Sequence, residues 1–265
     1  MDQDKKQLMP GKSTRYYLAG GLIVFFTVYY SAVSLMSPAR KVASIEKEYS
    51  LSDPAVENTG NGIKSDSVYI SIVKAKSFFE SRITMATTDS LSLSVDLHDS
   101  TATIEINGVV VHSAGIERFK ISKVLNKADE NSVISMLSTP LNITHNIATI
   151  EKEPLMLKIA PKDTSEYKPD VLPDTTMPKA VNIIFQTDKG IRIYIYGTDN
   201  LSGCTTGFFW FDLADRFRNC FDIINNMFQI KVPGYYPSVR IWMDKSDARV
   251  IYRAVPRSGQ IALRL

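Results

Sequence analysis

The residues best suited to chemistry lie in one short run, Tyr196-Gly197-Thr198-Asp199-Asn200-Leu201-Ser202-Gly203-Cys204-Thr205. A cysteine on a glycine-flanked loop can serve as an exposed nucleophile, but near neutral pH it needs a base beside it to become a thiolate. The histidines are His98, His112 and His145. None stands at metal-ligand spacing from another histidine or a cysteine, so the sequence implies no metal and no cofactor. His112 falls in a strand-like run, where a half-buried ring is the ordinary reading and a catalytic base the rarer one. No phosphate-binding glycine loop and no Gly-x-Ser-x-Gly elbow occurs. Asp and Glu are scattered, and no acid–base pair can be chosen from them. Cys204 is therefore the one catalytic candidate. It and Cys220 are too few for a disulfide framework. A bridge between them outside the cytoplasm and a buried free thiol at Cys220 both remain open.

The stretch that places this loop in a cell is Tyr16 to Met36, 21 residues without a charge. As a helix rising about 1.5 Å per residue it spans roughly 31 Å, close to the hydrocarbon core of a bilayer. It is apolar on every face, unlike the helix of a soluble surface. Lys5, Lys6, Lys12 and Arg15 precede it, and Arg40, Lys41 and Lys47 follow. That bias puts the N-terminus in the cytoplasm by a narrow margin. Ser31-Ala32-Val33-Ser34 would pass as a cleavage site, but the apolar part of a signal peptide runs only about 7–15 residues, so a retained anchor is preferred. Ala19, Gly20, Gly21 and Thr27 are small enough to let another helix approach. The expected division is a cytoplasmic tail over 1–15, a transmembrane helix over 16–36, a linker over 37–64 and an extracytoplasmic domain over 65–265.

The linker reading rests on Pro38, Pro54 and the Gly60-Asn61-Gly62 cluster. Ser65 to Ala86 then has helical spacing, with Val68, Ile72, Phe79 and Ile83 on one face. From Leu91 the period becomes two. Leu91, Leu93, Val95 and Leu97 alternate with polar residues, as in a strand with one face buried. Thr101 to Ile106 and Val109 to His112 flank Asn107-Gly108, the strongest short-range hairpin signal. Glu117 to Val124 reads as strand and Ala128 to Ser138 as a short helix ended by Pro140. Ile147 to Ile150 and Leu155 to Ile159 read as short strands, and Pro161 to Lys179 as a long loop.

Val181 to Gln186 and Ile191 to Tyr196 form a second hairpin. An amphipathic helix over about Asp212 to Phe228 gathers Leu213, Phe217, Cys220, Phe221, Ile224 and Phe228 on one face, with Asp212–Arg216 and Arg218–Asp222 pairs on the other. Val239 to Met243 and Ala248 to Val255 read as a last hairpin, and the tail after Pro256 shows no pattern. The fold class expected is α+β: a single N-terminal transmembrane helix, then a β-rich extracytoplasmic domain of antiparallel hairpins with about three helices.

The run SLSLSVDLHDSTATIEINGVVVHSAGI, Ser90 to Ile116, resembles the opening hairpin of L,D-transpeptidase catalytic domains. Those are membrane-tethered or secreted β-rich enzymes that cross-link peptidoglycan with a cysteine nucleophile. Their motif is His-Gly, a spacer, then Ser-His-Gly-Cys-x-Arg. Here Tyr196-Gly197 stands at the His-Gly, Ser202-Gly203-Cys204 lacks the inserted His, and Thr206 stands at the Arg. The resemblance implies a bacterial envelope domain with Cys204 at the nucleophile position and peptidoglycan as a partner. With both histidines replaced, it implies a domain kept for shape rather than catalysis.

Two surfaces complete the reading. Phe208-Phe209-Trp210-Phe211 packs a core or, through Trp210, offers a partner surface. Arg249 and Arg253, on a strand face with Ile251, are either solvated or a basic strip for an acidic partner. The formal charge of +3 makes no case for nucleic acid. The function expected is a non-enzymatic structural or interaction subunit of a bacterial cell-envelope complex, a secretion or trans-envelope assembly. It sits in the inner membrane with its domain in the periplasm. Its partners are the lipid bilayer and other envelope proteins, met through both the transmembrane helix and the head. The alternative is an L,D-transpeptidase-like enzyme or pseudoenzyme that binds peptidoglycan.

Overall fold

The computed structural model describes residues 12–50, 67–152, 180–198, 208–218 and 234–265. Two compact units divide the chain: one holds Met1–Lys41 and Arg216–Tyr235, the other Val42–Asp215 and Tyr236–Leu265. The class is α+β, an apolar N-terminal helix with a β-rich body. The expected strand at Leu155 to Ile159, the loop from Pro161 to Lys179, Cys204 and Cys220 lie outside the described residues.

The N-terminal helix α1 runs over Lys12–Tyr49. From Gly20 it is long and apolar enough to cross a membrane, the one such helix among the described residues. Several of its apolar side chains lie open, Phe25 66% and Leu35 80% exposed among them. Residues 37–49, expected to begin the linker, are helical, with Pro38 inside. A proline within a helix removes one hydrogen bond and costs about 3 kcal/mol. Contacts of the last turns with the barrel oppose that cost. Ile45 is buried, the Asp129 N–H donates to Glu46 at 3.1 Å, and the Lys189 ammonium lies 6.0 Å from the centre of the Tyr49 ring.

The second unit is built on an eight-stranded closed barrel. In chain order its strands are β1 Ser92–Asp96, β2 Thr101–Ile106, β3 Val109–Ile121, β4 Leu141–Ala148, β5 Val181–Thr187, β6 Arg192–Thr198, β7 Ser238–Asp244 and β8 Gln260–Arg264. Around the barrel they follow the order β1-β2-β3-β7-β6-β5-β4-β8. Neighbours are antiparallel except β1 with β8 and β6 with β7, which run parallel. The β2–β3 turn has positive φ at both central residues, 49° at Asn107 and 78° at Gly108, as its Asn-Gly pair predicts. An eight-stranded barrel is just wide enough to be filled by side chains. Leu93, Ile104, Ile183, Phe185, Ile195 and Ile241 are among those within it, each nearly or fully buried. Each such side chain contributes about 1.5–3 kcal/mol by leaving water.

Two C-terminal elements differ from expectation. Ala248 to Val255, expected as a strand, lies in helix α6, Lys245–Ala254, and its C-cap Val255. Ala248, Ile251, Tyr252 and Val255 are buried at helical spacing, and the Asp244 side chain caps the start by accepting from Ser246 N–H. The patternless tail contains β8. Its Ile261, Ala262 and Leu263 are buried on both faces, which leaves no alternation to read. α6 crosses the barrel so closely at Gly197 that a Cβ there would lie 3.0 Å from both Ala248 Cβ and Lys245 Cα.

Helices α3, Lys123–Lys127, and α4, Glu130–Leu137, link β3 to β4. Lys189, in the β5–β6 turn, donates to the carbonyls of Met136 and Thr139 at the end of α4, a favourable place for a cation. Burial holds its pKa below the usual lysine value.

Helix α2, Ser67–Ala86, buries the face opposite its row of large apolar residues. Ser77, Phe78, Ser81 and Met85 are buried, and Phe78 and Met85 pack with Ala262 of β8. The small serines allow close approach, and Ser77 Oγ donates to the Ile134 carbonyl at 2.8 Å. Val68, Ile72, Phe79 and Ile83, the apolar row of that helix, are 59, 60, 51 and 67% exposed.

Candidate interaction site

The outer face of β5, β6 and β7 carries a second apolar layer. The register sets Tyr194 beside Arg240 and Tyr196 beside Trp242, with Ile184 beside Tyr194. Alternation forces this: Ile193 and Ile195 point into the barrel, so their neighbours must point out. Helix α5, residues 208–218, lies over this face. Phe208 and Phe211 join Tyr194, Tyr196, Ile184 and Trp242 in one cluster. The Tyr196 ring stacks on Trp242 at 5.1 Å and meets Phe208 edge-on at 5.2 Å.

Within this apolar layer, two carboxylates of α5 find fixed partners. Tyr196 Oη donates to Asp212 Oδ1 at 2.7 Å, and Arg240 Nη1 donates to Asp212 Oδ2 at 2.7 Å. Tyr194 Oη donates to Asp215 Oδ2 at 2.8 Å, with Arg192 Nη1 3.7 Å from the same oxygen. The Arg240 guanidinium also sits 5.1 Å from the centre of the Tyr194 ring, and Arg118 lies 4.5 Å from that of Trp242. Burial, reinforced by Asp215, pushes the Tyr194 phenol up to about 12, and burial with the Asp212 hydrogen bond pushes Tyr196 up as well. Burial would lower Arg240, but Tyr196 and Asp212 beside it outweigh this and hold it above its usual value. Both phenols therefore keep their protons at neutral pH and act as donors. Their chemical role is to fasten α5.

The fastening turns α5 over relative to expectation. Asp212, expected outward with Arg216, faces the barrel and pairs with Arg240. Phe209, Trp210 and Phe217 point out, 60, 64 and 58% exposed, and Leu213 is only half-buried. The aromatic run thus divides, Phe208 and Phe211 into the cluster, Phe209 and Trp210 to the surface. No local signal predicts the seat, because its partners are 16 to 28 residues apart in the chain.

The remaining candidates are dispersed. Arg249, half-buried, and Arg253, exposed, lie one turn apart on α6, whereas Ile251 lies on the opposite, buried face; their shared strand face does not exist. His112 is the half-buried ring expected, with Nε2 3.2 Å from Asp247 Oδ1. Tyr196-Gly197, at the His-Gly position of the resemblance, is divided between the α5 seat and the α6 crossing. Among the described residues no group of three or more His, Cys, Asp or Glu could hold a metal ion. Comparison with protein-family models, with curated proteins and with solved structures finds no match to this chain.

Proposed function

We propose that this protein is a membrane-anchored, non-enzymatic interaction subunit of a bacterial cell-envelope assembly. In this reading α1 spans the inner membrane from a cytoplasmic N-terminus, and the barrel stands in the periplasm. The observation that carries the interaction role is the apolar stripe of α2. A periodic row of large apolar side chains along a 20-residue helix is ordinarily core. Here it lies open to water, and such a patch marks a docking surface.

Its spacing suits a second copy of the same chain. Val68 and Ile83 are equidistant from the midpoint between Ala75 and Lys76, as are Ile72 and Phe79. Two such helices packed antiparallel about a two-fold axis would set Val68 against Ile83 and Ile72 against Phe79, twice over. Self-complementarity of this kind is what a two-fold interface requires. One stripe is a small interface. Joined to a contact between membrane helices, it gains from the raised effective concentration that tethering supplies, about 100-fold or more in affinity.

The test is the oligomeric state of the full chain in mild detergent, read by light scattering. Wild type is expected as a dimer or larger at micromolar concentration. Ile72→Glu with Phe79→Glu is expected to raise the dissociation constant at least tenfold with unchanged circular dichroism. A monomeric wild type would remove the stripe as a contact between copies.

A further inference from the structure

Among the described residues the outward face of α5 is a further apolar surface left open, and we infer that it lies in the interfacial layer of an anionic phospholipid membrane. This rests on the proposed anchoring by α1. The face is built from side chains suited to that layer. At 100° per residue, Phe209, Leu213, Phe217, Trp210 and Ala214 cover one continuous arc of the helix. Arg216 borders the arc on one side and Arg218 on the other, both exposed. An aromatic, apolar face edged by arginines is the pattern of a helix lying in the plane of a bilayer surface, with rings among the headgroups and guanidinium groups on phosphate.

Three observations favour lipid over another occupant. The helix is fixed in this inverted orientation by the Asp212 and Asp215 contacts, so the exposure of Phe209 and Trp210 is specified rather than incidental. The flanking charges are both positive and complement an anionic surface, whereas a second copy of the same face would bring like charges together. The same chain carries a helix long and apolar enough to cross a bilayer. Acidic side chains of α5 do not interrupt the face, because Asp212 and Asp215 are engaged beneath it.

The protein has two tryptophans, Trp210 and Trp242, and this gives a direct readout. The full chain is reconstituted into phosphatidylcholine–phosphatidylglycerol vesicles, with and without bromine on the acyl chains near the headgroup. Flotation reports α1, and quenching of tryptophan emission reports α5. The expected result is a chain that floats with the vesicles and loses at least a third of its emission in the shallow-brominated lipid. Trp210→Phe, an exposed position, should abolish most of that loss. Arg216→Ser with Arg218→Ser should reduce it at least twofold. A chain that floats with its emission unquenched, or with equal quenching in Trp210→Phe, overturns the inference and leaves the anchor standing. A chain that does not float overturns the anchor first and this inference with it.

Discussion

Tyr194 illustrates how single side chains set the behaviour of the seat. Its phenol titrates near 10 in the unfolded chain and near 12 in the folded one. Between those values the folded state keeps a proton that the unfolded state has lost. The stability this provides is complete below pH 10 and is lost as pH rises toward 12. The urea midpoint of wild type should therefore fall over that interval, and Tyr194→Phe should fall less. Equal slopes in the two proteins would mean that Tyr194 does not carry the dependence. Gly108 acts through the backbone alone. Its φ of 78° is unfavourable for a β-branched residue, and a Cβ there would meet Ala86 Cβ at 3.2 Å. Gly108→Val is expected to cost roughly 1–3 kcal/mol. Thermal unfolding measures it, and an unchanged midpoint would contradict the turn assigned here.

Among the elements, α6 depends on the absence of a side chain beneath it. Gly197→Val would place atoms against the Lys245 backbone, which cannot give way as a flexible side chain can. The loss should be about 1–3 kcal/mol, while Gly115→Ala, which meets nothing within 4 Å, should change stability far less. Chemical denaturation of the two variants makes the comparison. These elements also show where sequence reading succeeds and where it stops. Strand β1 is legible from its alternation and the β2–β3 hairpin from Asn107-Gly108, but β1, expected with one face buried, is buried along its whole length, Ser92, Ser94 and Asp96 included. Strand β8 is not legible, since burial on both faces erases the period. Helix α6 was misread because Val250-Ile251-Tyr252 has strand-like composition, although Ala248, Ile251, Tyr252 and Val255 keep helical spacing. For α2 periodicity marks an apolar row without saying whether it faces core or surroundings, and of the arc expected on the helix from Asp212 only Leu213 and Phe217 lie among the described residues. Of the site, the aromatic run points to Trp210 from sequence alone. Asp212 and Asp215 were not linked to Arg240, Tyr196 and Tyr194, because those partners meet only once the barrel has formed.

At the scale of the whole molecule, the chain carries an apolar N-terminal helix and, separately, a barrel with a filled interior, and helices α2 and α5 bear open apolar faces. The role proposed for it is contact rather than catalysis. Cys204→Ala in the native host is accordingly expected to leave peptidoglycan cross-links unchanged, as read by analysis of wall fragments. Loss of one cross-link type would establish a catalytic cysteine instead. The proposed function requires that α1 hold the protein in a membrane with its head outside the cytoplasm. The most direct test is alkaline-carbonate fractionation of cells expressing the full chain with an export-dependent reporter fused after Leu265. The expected result is an uncleaved fusion in the washed membrane pellet with the reporter active. A fusion in the soluble fraction, one shortened by removal of the apolar segment, or a reporter silent in the pellet would contradict it.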